Sequence, residues 1–264
     1  MVQRNDVLER DPAEIAEQAE GIGAARLDRS TLEILVTSVI GGGEVSLGGL
    51  ASMTVVGAVL QNLPGADLYG ALALAGLVFP IGFLFVIIGR SELFTENFLI
   101  PVVAVFKTER TLGSLLTLWA LSWIGNIMGC AATAALLLFP EAIGSPIQHG
   151  YAAYTDYKLG VAPIGVFVSA LLAGGVMTAL TWLLLSVEHP VARMIAICAA
   201  AYVLMAANLS HSIVSASILL VGFVSTQHGM IDVGSWLVIA TLGNLVGGVG
   251  LVTLFRLAQV HQQT

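Results

Sequence analysis

Leu204-Met205-Ala206-Ala207-Asn208-Leu209-Ser210-His211-Ser212-Ile213-Val214-Ser215 decides the fold. It sits in the middle of residues 194–231, which contain no Lys, Arg, Asp or Glu. A bilayer-crossing helix needs about 20 apolar residues. Residues 194–231 are too long for one ordinary span and are broken at their centre by Asn208, Ser210, His211 and Ser212. A histidine inside the longest charge-free run is a functional candidate, because ionisable groups at membrane depth are costly to keep there. The bland alternative is a neutral histidine bonded between helices.

The same pattern occurs once more, upstream. Uncharged residues 68–89 lead into Arg90-Ser91-Glu92-Leu93-Phe94-Thr95-Glu96-Asn97, followed by a short apolar run, 98–106. That run amounts to half a bilayer. Each interrupted stretch therefore reads as one broken helix. With spans at 34–63, 111–140, 159–187 and 233–255, the total is six. The order is straight, broken, straight, twice over. Three spans per half inverts the second half relative to the first, an arrangement that points to a transport site at the midplane. Non-helical backbone at that depth has to be buried or line a cavity. Broken helix ends present N–H groups and positive dipole ends that suit an anion.

Composition agrees. The 264 residues are 57% hydrophobic and 10% charged, against roughly 25% charged in soluble domains. This excludes a soluble enzyme and a disordered chain. The net charge of −7 leaves no basic face for nucleic acid. Residues 1–33 hold eight acids and four arginines, so an acidic head (1–30) precedes a membrane body (31–258) and a short tail (259–264). Arg4, Arg10, Arg26, Arg29, Lys107, Arg110, Arg193 and Arg256 fall on one side of six spans, and Lys158 alone on the other. The positive-inside rule then puts both termini in the cytoplasm. Asp11-Pro12-Ala13-Glu14 opens a helix in the head, with Ile15, Ala16, Ala19 and Ile22 on one face; it reads as a packing helix or as a gating one. Cys130 and Cys198 read as small buried hydrophobes, not a disulfide. Arg90 reads as the partner of Glu92 and Glu96, fastening the loop. Glu44 is open to three readings: a hydroxyl partner, Arg90, or a vestibule. No HExxH, CxxC or phosphate-binding loop is present, so no catalytic residue, metal or cofactor is expected.

Ser91-Glu92-Leu93-Phe94-Thr95-Glu96-Asn97 and His211-Ser212-Ile213, with Lys158 before the fourth span and Asn244 in Thr241–Gly248, resemble the formate/nitrite transporter family over roughly residues 30–258. The resemblance implies an all-α, aquaporin-like protomer with an inverted 3+3 repeat, assembled as a homopentamer in a bacterial cytoplasmic (inner) membrane. Its cargo would be a small monovalent anion or weak acid such as formate, nitrite or hydrosulfide. Thr95 and His211 would meet at the pore centre, Asn244 would support the site, and Lys158 would draw anions into the outer vestibule. Apolar constrictions would come from Phe79, Phe83, Leu93, Phe94, Met177 and Leu204. Two positions depart from the family pattern and suggest a divergent branch: Glu96, where a small residue is common, and Gly174, where the family commonly has an asparagine. Other readings of the same six spans are a pore for a small neutral solute, although Asn-Pro-Ala repeats are absent, and a non-transporting scaffold that uses the acidic head.

Overall fold

A computed structural model describes residues 10–262. Arg4, counted above among the orienting bases, and the last two residues of the tail lie outside them. Helix α1, Pro12–Leu27, starts where the sequence places it: Asp11 caps it by accepting from Ala13 N, with proline in the first turn. Ile15, Ala16 and Ala19 pack on Leu99, Ile100, Trp182, Leu185 and Val260. The head helix is therefore laid along the body. Helix α2, Thr31–Asn62, is capped by Ser30 and ends before Pro64, whose ring disfavours helix in the residue preceding it.

Helices α3, Leu68–Ala75, and α4, Pro80–Gly89, run on as one apolar stretch. It stops at Arg90, whose φ of 61° is left-handed. A 3-10 turn, Phe94–Phe98, follows, and then α5, Ile100–Lys107. Helix α6 covers Leu112–Leu137, capped by Thr111. Helix α7, Ser145–Gly160, has no counterpart in the sequence reading and takes the first residues of the expected fourth span; α8 starts at Pro163 and ends at Ser186. Helix α9, Pro190–Ala206, stops before Asn208, which has a φ of 51°. Helix α10, Ser212–Gly222, resumes after His211. Helix α11, Met230–Leu245, continues through a wide π turn, Val246–Thr253, into α12, Leu254–His261.

Among the described residues, five helices or helix runs are long and apolar enough to cross a membrane: Thr31–Asn62, Leu68–Gly89, Leu112–Leu137, Pro163–Ser186 and Met230–His261. Pro190–Ala206 and Ser212–Ser225 are shorter apolar pieces. Helix α12 runs into the tail as far as His261, and Val260 packs against α1.

Two helix pairs frame the molecule. Helix α2 lies along α6, and α8 along α11 and its π turn. Backbones touch because glycines stand at the crossings. A Cβ at Gly42 would strike the carbonyl of Asn126, and one at Gly174 the carbonyl of Asn244. Gly174 is therefore required by the crossing, and an asparagine side chain has no room there. Helix α10 lies between the pairs, against α6, α7, α2 and α11. Cys130 is buried and Cys198 partly buried, and both are free thiols.

Candidate functional site

The loop between α4 and the 3-10 turn is held from both sides. Asn126, on α6, accepts from Phe94 N at 2.8 Å through Oδ1. Its Nδ2 donates to the carbonyls of Ser38 and Glu92, both at 2.8 Å. Glu92 N donates to Thr37 O at 3.2 Å. The Glu92 carboxylate is buried and takes Arg29 Nη1 at 2.6 Å, Asn97 Nδ2 at 2.6 Å and Arg26 Nη1 at 3.4 Å. Arg26 also donates to Asn97 Oδ1 at 2.7 Å. These bonds satisfy a carboxylate that would be very costly in isolation.

This corrects the expected role of Arg90. Its side chain is exposed, and the bases on Glu92 are Arg26 and Arg29 of the head. Nor does Glu96 fasten the loop through Oε1, which is buried without a protein partner. Of the three readings of Glu44 the first holds: it accepts a hydrogen bond from the Ser91 hydroxyl.

The loop between α9 and α10 is held in the same way. Asn244 Oδ1 accepts from Ser212 N at 2.8 Å, and its Nδ2 donates to Ala170 O and Ser210 O, each at 2.9 Å. Ser210 N donates to Ser169 Oγ at 3.0 Å. Lys158 adds a third hold from α7: its Nζ donates to Asn208 O at 2.7 Å and Leu209 O at 3.2 Å. The ammonium faces the rings of Tyr154 and Trp236 at 5.4 and 5.9 Å. Lys158 is 2% exposed. Burial pushes its pKa down to about 7.

The two loops meet at Thr95 and His211, both fully buried, with Thr95 Oγ1 and His211 Nε2 2.9 Å apart. His211 Nδ1 accepts from Val214 N at 3.2 Å and so caps α10. An accepting Nδ1 carries no proton, so the ring is the neutral Nε2–H tautomer. Nε2 then donates to Thr95 Oγ1, and the Thr95 hydroxyl hydrogen is left to donate elsewhere. The Phe83 ring stands edge-on to His211 at 6.0 Å, and Phe79 edge-on to Phe83 at 5.4 Å. Leu93, Phe94, Met177 and Leu204 are buried as well. Of these residues Phe83 is in ring contact with His211, whereas the Phe94 ring stands edge-on to Phe98 at 4.9 Å.

A cavity of about 440 Å³ opens on the α1 side of the pair. Arg26, Arg29, Arg90, Arg193, Glu96 and Met177 are among its walls. It is an arginine-rich chamber with one carboxylate.

Sequence reasoning missed Asn126, Asn97 and the tie from Arg26 and Arg29 to Glu92. The signal for Asn126 was present. Gly125-Asn126-Ile127-Met128-Gly129 and Gly243-Asn244-Leu245-Val246-Gly247 repeat one Gly-Asn-x-x-Gly pattern in the two halves of the chain. The glycine lets a neighbouring helix approach, and the asparagine reaches past it to the loop.

Comparison with known proteins fits this geometry. The Escherichia coli (strain K12) inner membrane protein YfdC is 24% identical over 90% of this chain and 76% of its own length. A solved FNT family ion channel superposes with a TM-score of 0.81 at 21% identity, covering 93% of this chain and 98% of that one. A pentameric formate channel with formate bound superposes with a TM-score of 0.67 at 18% identity, over 85% and 95% of the two chains. The family model described as formate/nitrite transporter matches residues 13–258, from the head helix through both pinned loops to the last helix, and the chain belongs to that family.

Proposed function

We propose that the chain is a membrane pore for small monovalent anions or their conjugate acids, with formate and nitrite as the cargo class. The observation that carries this reading is the 2.9 Å contact between Thr95 and His211, which joins the 3-10 turn after α4 to the loop before α10 in an apolar setting. A bare anion is very costly in such a slit, while the neutral acid is far cheaper. The Thr95 hydroxyl, held as acceptor by His211, donates to a passing oxygen. Its donation is strengthened because the ring polarises it. The cargo crosses the Phe83–Phe94 region as the acid, or as an anion sharing that donor.

The chain reads as six spans in an inverted 3+3 repeat, the second broken at Arg90–Leu99 and the fifth at Ala207–His211. The matching grips of Asn126 and Asn244 support this. Lys158 supplies positive charge on one side of the pair and the arginine-lined cavity does so on the other. The positive-inside rule puts that cavity and both termini on the cytoplasmic side of a bacterial inner membrane. The solved pentameric formate channel supports a homopentamer with one pore per protomer.

Purified protein in liposomes tests the function. Uptake of labelled formate or nitrite above protein-free vesicles is the expected result. Absence of flux for every weak acid tried between about pH 4 and 8 would sink the reading.

A further inference from the structure

One residue the pore reading leaves unused faces the arginine-lined cavity. Glu96 follows Thr95 directly, and its Oε1 is buried with no hydrogen-bond partner in the protein. Arg26 lines the same cavity and its Nε is also buried without a partner. Its orientation is fixed, because Nη1 is committed to Asn97 and Glu92. Glu96 and Arg26 thus both line the cavity of about 440 Å³, each with a buried atom that has no protein partner, next to the residue whose hydroxyl serves the slit.

We propose that Glu96 and Arg26 form a second binding point for the cargo, which selects a monobasic acid carrying both an O–H and an acceptor oxygen. The proposal rests on the weak-acid pore reading and deepens it. A monocarboxylic acid matches the pair: its O–H donates to Glu96 Oε1 and its carbonyl oxygen accepts from Arg26 Nε. A simple halide has no donor and meets a carboxylate, so it is disfavoured. For acid leaving the slit, the acid's O–H bond breaks and an O–H bond forms on the Glu96 carboxylate. The anion passes to the arginines, and Glu96 then releases the proton to water in the cavity. The reverse order serves entry. The charged groups around Glu96 are Arg26 from α1, Arg29 from the link that follows it, Glu92 from its own loop, Arg90 at the end of α4 and Arg193 from α9. Arg26 and Arg29 are shared with Glu92, and Arg193 donates to the carbonyls of Leu184 and Val187. Arg90 is exposed in the cavity and is the base placed to receive the released anion.

Formate and hydrosulfide fluxes into liposomes test this with wild type, Glu96→Gln and Glu96→Ala. Hydrosulfide has no acceptor oxygen and serves as the control cargo. Glu96→Ala is expected to raise the half-saturating formate concentration about tenfold, the worth of one charge-assisted hydrogen bond. Glu96→Gln, which keeps the shape but cannot ionise, is expected to flatten the pH profile of formate flux. Hydrosulfide flux is expected to stay within about twofold in both. Wild-type half-saturation and pH profile in both variants would overturn the site, as would equal loss of both cargoes. A wild type that carries no weak acid fails the pore reading itself, and that outcome is read without any variant.

Discussion

Asn126 and Asn244, on α6 and α11, grip the two irregular loops with the same three bonds each: one accepted from a loop N–H and two donated to carbonyls, one on the loop and one on a facing helix. Loop backbone at membrane depth has no water to satisfy it, so a side chain must do so. The loops carry Thr95 and His211, and the asparagines therefore set the distance between those two groups.

Asn126→Ala strands Phe94 N and the carbonyls of Ser38 and Glu92. Each buried group left unpaired costs about 1–3 kcal/mol. The variant is expected to unfold markedly earlier on heating in detergent than wild type. Asn126→Asp keeps one acceptor but turns a second oxygen on the two carbonyls and buries a charge, and should melt no later than Asn126→Ala. Equal melting of all three would remove Asn126 from the account.

Glu92 is the buried anchor of the head. Removing the bases from a buried carboxylate costs about 3–5 kcal/mol. Arg29→Ala is expected to destabilise the chain by an amount of that order, and Arg29→Ala with Glu92→Gln by less than Arg29→Ala alone. A thermal-melt double-mutant cycle in detergent gives the coupling directly. Additive losses would show that the 2.6 Å pair carries nothing.

Much of this was legible from charges alone. In a chain with 10% charged residues, every interruption of an apolar run stands out, so the Arg90–Asn97 knot and the His211 loop mark themselves. Partners across long sequence separation do not. Arg26 and Arg29 read as orienting charges, because nothing local says that α1 folds back along α5 and delivers them to Glu92. Helix α7 escaped because its polar sequence has no long apolar stripe, and the hold of Lys158 on the α9–α10 loop escaped with it. Gly174 read as a missing asparagine when its role is contact with the Asn244 backbone.

Gly174→Asn is expected to fail, because its Cβ meets the Asn244 carbonyl. Such overpacking costs about 1–3 kcal/mol or more. A broadened or aggregated gel-filtration profile is the expected readout. A sharp wild-type peak with normal melting would show that the α8–α11 crossing can open.

Lys158 sets a pH dependence. Its pKa lies near 7, below the usual lysine value, so the ammonium is charged below about pH 7 and neutral above it. Arginine stays charged throughout. Formate uptake by wild type and Lys158→Arg should run in parallel at pH 6 and diverge above pH 7, with the wild type falling several-fold faster. Identical profiles to pH 8 would separate the flux from the charge at this position.

The most direct test of the Thr95–His211 centre is formate flux in liposomes for wild type, Thr95→Ser and Thr95→Val. Serine keeps the hydroxyl that accepts from His211 and donates onward, whereas valine keeps the shape without it. Flux is expected in wild type and Thr95→Ser, with a loss of about tenfold or more in Thr95→Val. Wild-type flux through Thr95→Val, in protein that folds normally, would contradict it.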